Sequence, residues 1–266
     1  MKYKVGFIGC GNMASAIIGG FIQHAGIACT DIIASDAFPT ALARAKEKLG
    51  IDTTSSNTEV SKQSDVLFLS VKPQYYESVI AEIKDTLTDK QIVVTIAPGK
   101  TLAWLSERLG SQIKIVRTMP NTPALVGEGI TGVCKNDLVT AEEFTYILKL
   151  LGSFGLAEEV PESLMNAVVS VSGSSPAYVF LFIEAMADAA VADGMPRAQA
   201  YKFAAQAVLG SAKMVLETGK HPGELKDMVC SPAGTTIEAV KVLEKRGFRS
   251  AVMEAMEACT KKAKGC

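Results

Sequence analysis

The chain has 266 residues, enough for one or two domains that bury a real core. Its 27 lysines and arginines nearly balance its 28 aspartates and glutamates. No excess of positive charge therefore favours nucleic acid or an anionic membrane surface as a partner. The six cysteines form no CxxC pair, and no His/Cys cluster has metal-ligand spacing. We therefore expect free thiols in a reducing compartment and no metal site.

The amino terminus, two lysines followed by an apolar run, is similar to a signal peptide. However, the run contains Gly9, Gly11 and Asn12, and no convincing cleavage site follows it. A later apolar stretch, residues 176–192, is interrupted by Glu184 and Asp188, and we expect it to be too short and too charged to span a bilayer. These features predict a cytoplasmic protein with no membrane partner.

Strand and helix patterns alternate in the first part of the chain. Short apolar runs typical of buried strands lie at residues 4–8, 31–35, 66–71, 92–96 and 113–117, and residues 130–134 are a further candidate. Helical periodicity occurs at residues 13–24, 41–49, 75–87, 102–109 and 140–151. This alternation predicts a Rossmann-type, doubly wound parallel sheet covered on both faces, in a dinucleotide-binding domain of residues 1–160.

Beyond Pro161 the strand signals vanish, which predicts an all-helical domain of residues 161–266. Its expected helices are residues 163–171, 176–193, 197–217, 236–245 and 249–262. The second and third of these are apolar around most of their circumference and must be buried. A domain of this size cannot easily bury both alone, so we expect a homodimer or a multiple of dimers. A well-packed monomeric bundle is the alternative.

The strongest local motif follows the first predicted strand. Gly9-x-Gly11-x-x-Ala14 directly precedes a helix. The glycines allow a tight turn and a close approach of the backbone to a pyrophosphate, and the small Ala14 lets the helix pack on the strand. Because strand, motif and helix come in this order, we interpret the segment as a dinucleotide-binding loop rather than a plain glycine-rich turn.

Other cofactor candidates lie at the ends of later strands, where ligands bind in open α/β sheets. Asp36 follows the second strand, where a carboxylate binds the ribose hydroxyls of NAD and repels the 2′-phosphate of NADP; the alternative is a surface turn residue. Asn57 is placed to reach the ribose, although an ordinary loop asparagine is an equal alternative. Lys72 and the loop that begins at Ala97 follow two further strands, and a solvated lysine is the alternative for Lys72.

Near the carboxyl end, the turn of residues 231–236 (SPAGTT) precedes a predicted helix. Small residues at a helix start expose backbone N–H groups and the positive end of the helix dipole, which favours a small carboxylate ligand. Two other turns have weaker signals. His221 is either a catalytic acid or a turn residue. Ser174 or Ser175 either caps the long apolar helix or places the start of this helix by the nicotinamide.

Taken together, these motifs resemble those of the pyrroline-5-carboxylate reductase family, over nearly the whole length of the chain. The segments that carry the resemblance are VGFIGCGNMASAIIGG, SVKPQ, RTMPNTPALVGEG, SGSSPAYVF, HPGELKD and SPAGTTIEAVKVLE, in this order. The last is the most specific, because the family's signature lies there. Two departures are Ser175, where many members have glycine, and Asp36, which is unusual in NADPH-preferring members.

The resemblance implies reduction of 1-pyrroline-5-carboxylate to L-proline by NADPH or NADH, in a dimer that interleaves its carboxyl-terminal helices. It implies a substrate-carboxylate turn at Ser231, Gly234, Thr235 and Thr236. It also implies cofactor contacts at Gly9, Gly11, Asn12, Met13, Asn57, Lys72, Pro73 and Ala97. We expect the Thr236 hydroxyl to bind the ring nitrogen.

Two other functions remain as alternatives. A β-hydroxyacid dehydrogenase would need a lysine acid/base on a carboxyl-domain helix, but residues 176–193 contain no lysine, and Lys202 and Lys213 on the next helix fit a surface position. A dinucleotide-binding regulator without turnover would need no second site for a small acid.

Overall fold

The computed structural model describes residues 3–265, which form two compact units. The first unit holds the chain up to Ser174 together with the segment from Cys259 onward, and the second holds Ser175–Ala258. Two hydrogen bonds tie the carboxyl-terminal segment to the first unit: Cys259 Sγ donates to Ser174 Oγ at 3.2 Å, and Thr260 Oγ1 donates to Ser170 Oγ at 3.0 Å. The domain limits 1–160 and 161–266 stay a prediction.

An eight-stranded sheet forms the centre of the first unit, in the order β3-β2-β1-β4-β5-β6-β7-β8. In chain order the strands are β1 (Tyr3–Ile8), β2 (Ile32–Ser35), β3 (Asp52–Thr54), β4 (Ser64–Leu69), β5 (Ile92–Thr95), β6 (Lys114–Met119), β7 (Gly129–Lys135) and β8 (Gly155–Glu159). The helices are α1 (Asn12–His24), α2 (Pro39–Leu49), α3 (Asn57–Gln63), α4 (Tyr76–Ile83), α5 (Leu102–Leu109), α6 (Ala141–Leu151) and α7 (Met165–Val168). The Rossmann-type architecture predicted from the alternating pattern is confirmed.

The sheet departs from the predicted all-parallel arrangement at its last two strands, because β7 runs antiparallel to β6 and β8 has the same direction as β7. Only a short 3₁₀ turn, Thr122–Val126, connects the two strands. A parallel crossover needs a dozen or more residues, so the chain must reverse direction here. Strand β8 then pairs parallel to β7 after the crossover through α6.

Two apolar layers pack on the faces of the sheet. One contains a cluster of buried aromatic rings, in which Phe7 stacks on Phe68 with their centroids 4.8 Å apart and Phe21 meets Phe68 edge-on. The other is built mainly from the opposite side chains of β4, β5 and β6 together with α4 and α5. Local signals fix the helix starts: Thr140 and Glu143 form a capping box at α6, and Thr101 caps α5.

The second unit is helical, with α8 (Ser175–Ala192), α9 (Arg197–Thr218), α10 (Pro222–Val229), α11 (Thr235–Lys245) and most of α12 (Phe248–Ala263). Helices α8 and α9 bury few side chains: Ala187 in α8, and Ala200 and Ala204 in α9. Large apolar side chains on them are exposed, among them Leu181 at 65% and Leu216 at 73%. Such faces need a partner to cover them.

Helix α8 begins at Ser175, one residue before the start that the sequence predicts, and it is the last part of a longer helical run. The helical run is continuous over Glu162–Ala192 and passes through a π-helical turn at Val169–Gly173. Within residues 3–265 this helix of 31 residues is the one that meets the length and composition of a membrane span, with a mean hydropathy of 1.4 in its apolar window. The expectation for residues 176–192 alone stays a prediction, because this longer helix also includes residues 162–175. Only 6% of this apolar window is buried. An apolar helix that packs in an interface between subunits would also be exposed in a single chain.

Candidate functional site

The loop between β1 and α1 has the geometry of a nucleotide cradle. Gly9 has φ +104°, and a Cβ on it would lie 2.8 Å from the carbonyl carbon and oxygen of Ser70. Its N–H donates to the Ser35 carbonyl at 2.7 Å, and Ser70 N–H donates to the Ile8 carbonyl at 2.8 Å. Only glycine fits this position, which brings the loop against the carboxyl ends of both neighbouring strands.

The start of α1 is open. Gly11 is the residue before the helix, no side chain caps the helix, and its first turn contains no acidic residue. A Cβ on Gly11 would meet no atom within 4 Å. Asn12 is exposed, Met13 is half-buried against the core, and Ala14 is buried where the helix packs on the sheet. Unused backbone N–H groups and the helix dipole suit a phosphate at this end, so these residues fit a dinucleotide.

Asp36 lies directly after β2 and binds the backbone of this loop. Its Oδ2 accepts a hydrogen bond from Cys10 N–H at 2.7 Å, and its Oδ1 accepts one from Phe38 N–H at 2.9 Å. Burial, followed by the negative charge of Asp36, raises the pKa of the Cys10 thiol to about 12. The Asp36 carboxylate is thus fixed beside the glycine loop. The sequence predicted that Asp36 lies near a ribose, but it did not predict these two hydrogen bonds.

Asn57 is the first residue of helix α3, whereas the sequence interpretation treated this region as a loop and turn. Ser56 caps the helix by accepting from Glu59 N–H. The Asn57 amide accepts from Ser35 Oγ at 2.7 Å and donates to Glu82 Oε2 at 2.8 Å. Asn57 therefore lies at the same edge of the sheet as Asp36, with its side chain oriented by two partners.

The loops after β4 and β5 carry the remaining cofactor candidates. Lys72 is exposed and Pro73 half-buried at the start of a 3₁₀ turn, while Ala97 is buried after β5. Tyr76, which sequence reasoning missed, links these loops because its buried hydroxyl donates to the Leu69 carbonyl at 2.7 Å. Burial raises the pKa of the Tyr76 phenol, and backbone hydrogen bonds at Ile96 and Ala97 oppose this effect.

In the second unit, the turn Ser231–Thr236 precedes α11. Gly234 is the residue before the helix, and no side chain caps it. Gly234 N–H donates to the Ser231 carbonyl at 3.0 Å, and a Cβ on Gly234 would lie 2.3 Å from Ser231 Oγ. Ala233 has φ +57°, an uncommon conformation for a residue other than glycine. The first N–H groups of α11, including those of Thr235 and Thr236, thus have no side-chain cap, which suits an anion at this end of the helix.

Thr236 is the second residue of α11, and Gly234 is the residue before the helix. His221 precedes α10, and its Nδ1 accepts from Gly223 N–H at 3.0 Å, which supports the turn-residue interpretation. Ser174 lies within the continuous helix and accepts from Cys259 Sγ. Lys213 forms an exposed ion pair with Glu217 and Lys202 is exposed, as a surface position predicts.

The first unit therefore gathers the predicted cofactor residues at the carboxyl-terminal edge of its sheet, and the second unit carries the predicted carboxylate turn. Among the described residues, no group of three or more His, Cys, Asp or Glu could hold a metal ion.

Comparison with known proteins gives a match in each part of the chain. Residues 162–266 match the family model described as pyrroline-5-carboxylate reductase dimerisation, and residues 4–99 match that described as NADP oxidoreductase, coenzyme F420-dependent. The chain is 55% identical to the pyrroline-5-carboxylate reductase of Escherichia coli, covering 99% of this chain and 98% of that protein.

Solved structures agree with this similarity. The pyrroline carboxylate reductase of Plasmodium falciparum with NADP bound has a TM-score of 0.90 and 34% identity, covering 100% of this chain and 98% of that one. The pyrroline-5-carboxylate reductase of Coxiella burnetii has a TM-score of 0.91 and 36% identity, with the same coverage.

Proposed function

Because the chain belongs to the pyrroline-5-carboxylate reductase family, we propose that it reduces 1-pyrroline-5-carboxylate to L-proline, the last step of proline biosynthesis. The observation that carries this proposal is the uncapped start of α11 behind the Ser231–Thr236 turn. A cyclic imine with a single carboxylate needs one anchor for that group, and a helix start with free N–H groups provides it.

The substrate sets the tasks of the protein. The ring must be held in one orientation, and its nitrogen must carry a proton so that the neighbouring carbon accepts a hydride. The N–H groups of residues 234–236 anchor the carboxylate, and the Thr236 hydroxyl binds the ring nitrogen. Since the turn Ser231–Thr236 contains no ionisable side chain, the proton comes with the substrate or from water.

The nucleotide is held by the edge of the sheet in the first unit. Gly9, Gly11, Asn12 and Met13 surround the pyrophosphate. Asp36 and Asn57 lie on the ribose side, and Lys72, Pro73 and Ala97 line the ends of β4 and β5. When bound, NADPH or NADH supplies the hydride.

Asp36 favours NADH over NADPH. Two backbone hydrogen bonds fix its carboxylate, so the charge cannot turn away from an incoming 2′-phosphate. Like charges held close together disfavour binding.

The functional form is a homodimer or a multiple of dimers. The match of residues 162–266 to a dimerisation model and the exposed apolar faces of α8 and α9 support this assembly. With balanced charge, the protein has no nucleic-acid partner, and it acts in the cytoplasm without a membrane partner.

A kinetic assay separates the proposed function from its alternatives. NADPH or NADH absorbance is followed with pyrroline-5-carboxylate, and reduction of NADP or NAD is followed with 3-hydroxy acids. The proposal expects oxidation with the imine only. Turnover of 3-hydroxy acids alone would favour the dehydrogenase, and cofactor binding without any turnover would favour a regulator.

A further inference from the structure

One carboxylate oxygen in the first unit joins three separate elements. Glu162 Oε1 accepts a hydrogen bond from Arg117 Nη1 at 2.8 Å and another from the backbone N–H of Leu102 at 2.6 Å. Arg117 lies on β6, Leu102 is the first residue of α5, and Glu162 begins the long helix Glu162–Ala192. The side chain of Arg117 is 5% exposed and that of Glu162 is 33% exposed, so a buried guanidinium is paired with a carboxylate that is only partly buried.

Stability alone does not account for such a pair. Removing the Arg117 guanidinium from water is costly, and an apolar side chain of similar volume often serves the fold as well or better. Arg117 Nε also has no hydrogen-bond partner among the described residues. The role of the ion pair therefore lies in the elements that it holds in place.

The elements held by the pair lead to the cofactor edge. Leu102 ends the loop after β5, which contains Ala97. Arg117 lies near the end of β6, shortly before Asn121, whose amide donates to the Ser172 carbonyl at 3.1 Å. Segment 162–173 is thus fixed to the first unit near both of its ends, by Glu162 at one and by Ser172 at the other.

We propose that Glu162 and Arg117 are positioning residues for the reductase reaction. They act through the loop that carries Ala97 and through segment 162–173. Without the carboxylate, the N–H at the start of α5 loses its partner and the loop is no longer held in one conformation. This inference rests on the proposed function, since its consequence is misalignment of the bound nucleotide.

The test replaces both charges by side chains of similar length, Arg117→Met with Glu162→Met. The matched control is Lys114→Met with Glu143→Met, an ion pair that joins the same strand, β6, to α6. Glu143 also completes the capping box of α6, so the control removes at least as many contacts. Tm, the Kd of NADPH from nucleotide fluorescence, and kcat/KM for pyrroline-5-carboxylate are measured for all proteins.

We expect the Arg117/Glu162 variant to melt within about 5 °C of the wild type, with a Kd for NADPH raised about fivefold or more and kcat/KM lowered at least about tenfold. The control should keep Kd and kcat/KM within about twofold of the wild type. Equal losses in both variants, or wild-type binding and turnover in the Arg117/Glu162 variant, would overturn the proposal.

If the double variant does not fold, single substitutions at Glu162 test the positioning role. Glu162→Gln keeps an oxygen that can accept from Leu102 and Arg117, whereas Glu162→Asp keeps the charge but is one methylene too short. Positioning predicts that Gln retains more kcat/KM than Asp, and mere charge neutralisation predicts the reverse. A wild type with no imine reduction but normal NADPH binding would instead refute the proposed function.

Discussion

Gly9 and Gly11 allow a prediction in which two similar substitutions have opposite effects. Gly9→Ala places a Cβ 2.8 Å from backbone atoms of Ser70 at φ +104°. The strained conformation costs about 1–3 kcal/mol, and the overpacking costs about 1–3 kcal/mol more. At about 2–4 °C per kcal/mol, Tm should fall by roughly 4–24 °C.

Gly11→Ala should hardly affect folding, because its φ of −68° suits any residue and its Cβ meets no atom within 4 Å. We expect a stability change below about 1 kcal/mol. The same Cβ, however, occupies the space in front of α1 that a pyrophosphate must approach. The Kd of NADPH should therefore rise at least about tenfold, which corresponds to about 1.4 kcal/mol.

Thermal melts and fluorescence titrations of NADPH measure both effects on the same samples. A Gly11→Ala protein that binds NADPH like the wild type would refute the placement of the nucleotide at α1. A Gly9→Ala protein that melts like the wild type would refute the contact with Ser70.

Four other changes test separate parts of the account. Thr236→Ala should lower kcat by roughly ten- to a hundredfold with an unchanged Kd for NADPH, since it removes a bond of about 1.5–3 kcal/mol to a charged group. Ser231→Ala should instead act mainly on KM. Normal turnover of the Thr236→Ala protein would remove Thr236 from the mechanism. Leu181→Glu should reduce the mass seen by light scattering, and Phe38→Glu, equally exposed in the first unit, should not. Asp36→Asn should raise the NADPH/NADH ratio of kcat/KM by removing a fixed charge, so a wild type that already prefers NADPH tenfold contradicts this reasoning. Burial raises the pKa of Cys10 to about 12 and that of Cys134 to about 11. Because the folded state favours the neutral thiols, the stability that they contribute is complete below about pH 9 and is lost as pH rises toward 12. A Tm that stays constant from pH 9 to 11 would contradict this contribution.

The sequence predicts the buried strands of the sheet well, because each is a continuous apolar run with helices before and after it. The edge strands β3 and β8 were missed, since Asp52–Thr54 and Gly155–Glu159 are short, polar and partly exposed. Helix α3 was also missed, although Ser56 and Glu59 have the spacing of a helix start. The π-helical turn at Val169–Gly173 has no comparable local signal.

The site shows the same division between local and distant information. Gly9, Gly11 and the Ser231–Thr236 turn are local motifs that can be recognised within one segment, although the positive φ of Ala233 has no signal in the sequence. Glu162 acts through partners far along the chain, since it lies 60 residues from Leu102 and 45 residues from Arg117. No pattern within one segment predicts such pairs, because the sheet order brings them together.

The most direct test of the proposed reaction follows the hydride itself. The enzyme is given pyrroline-5-carboxylate and NADPH or NADH with deuterium at the transferable position of C4, and the product is examined by mass spectrometry and NMR. Hydride transfer to the imine carbon predicts L-proline with one deuterium on its δ-carbon. Unlabelled proline, or no proline while the nucleotide stays bound and reduced, would contradict the account.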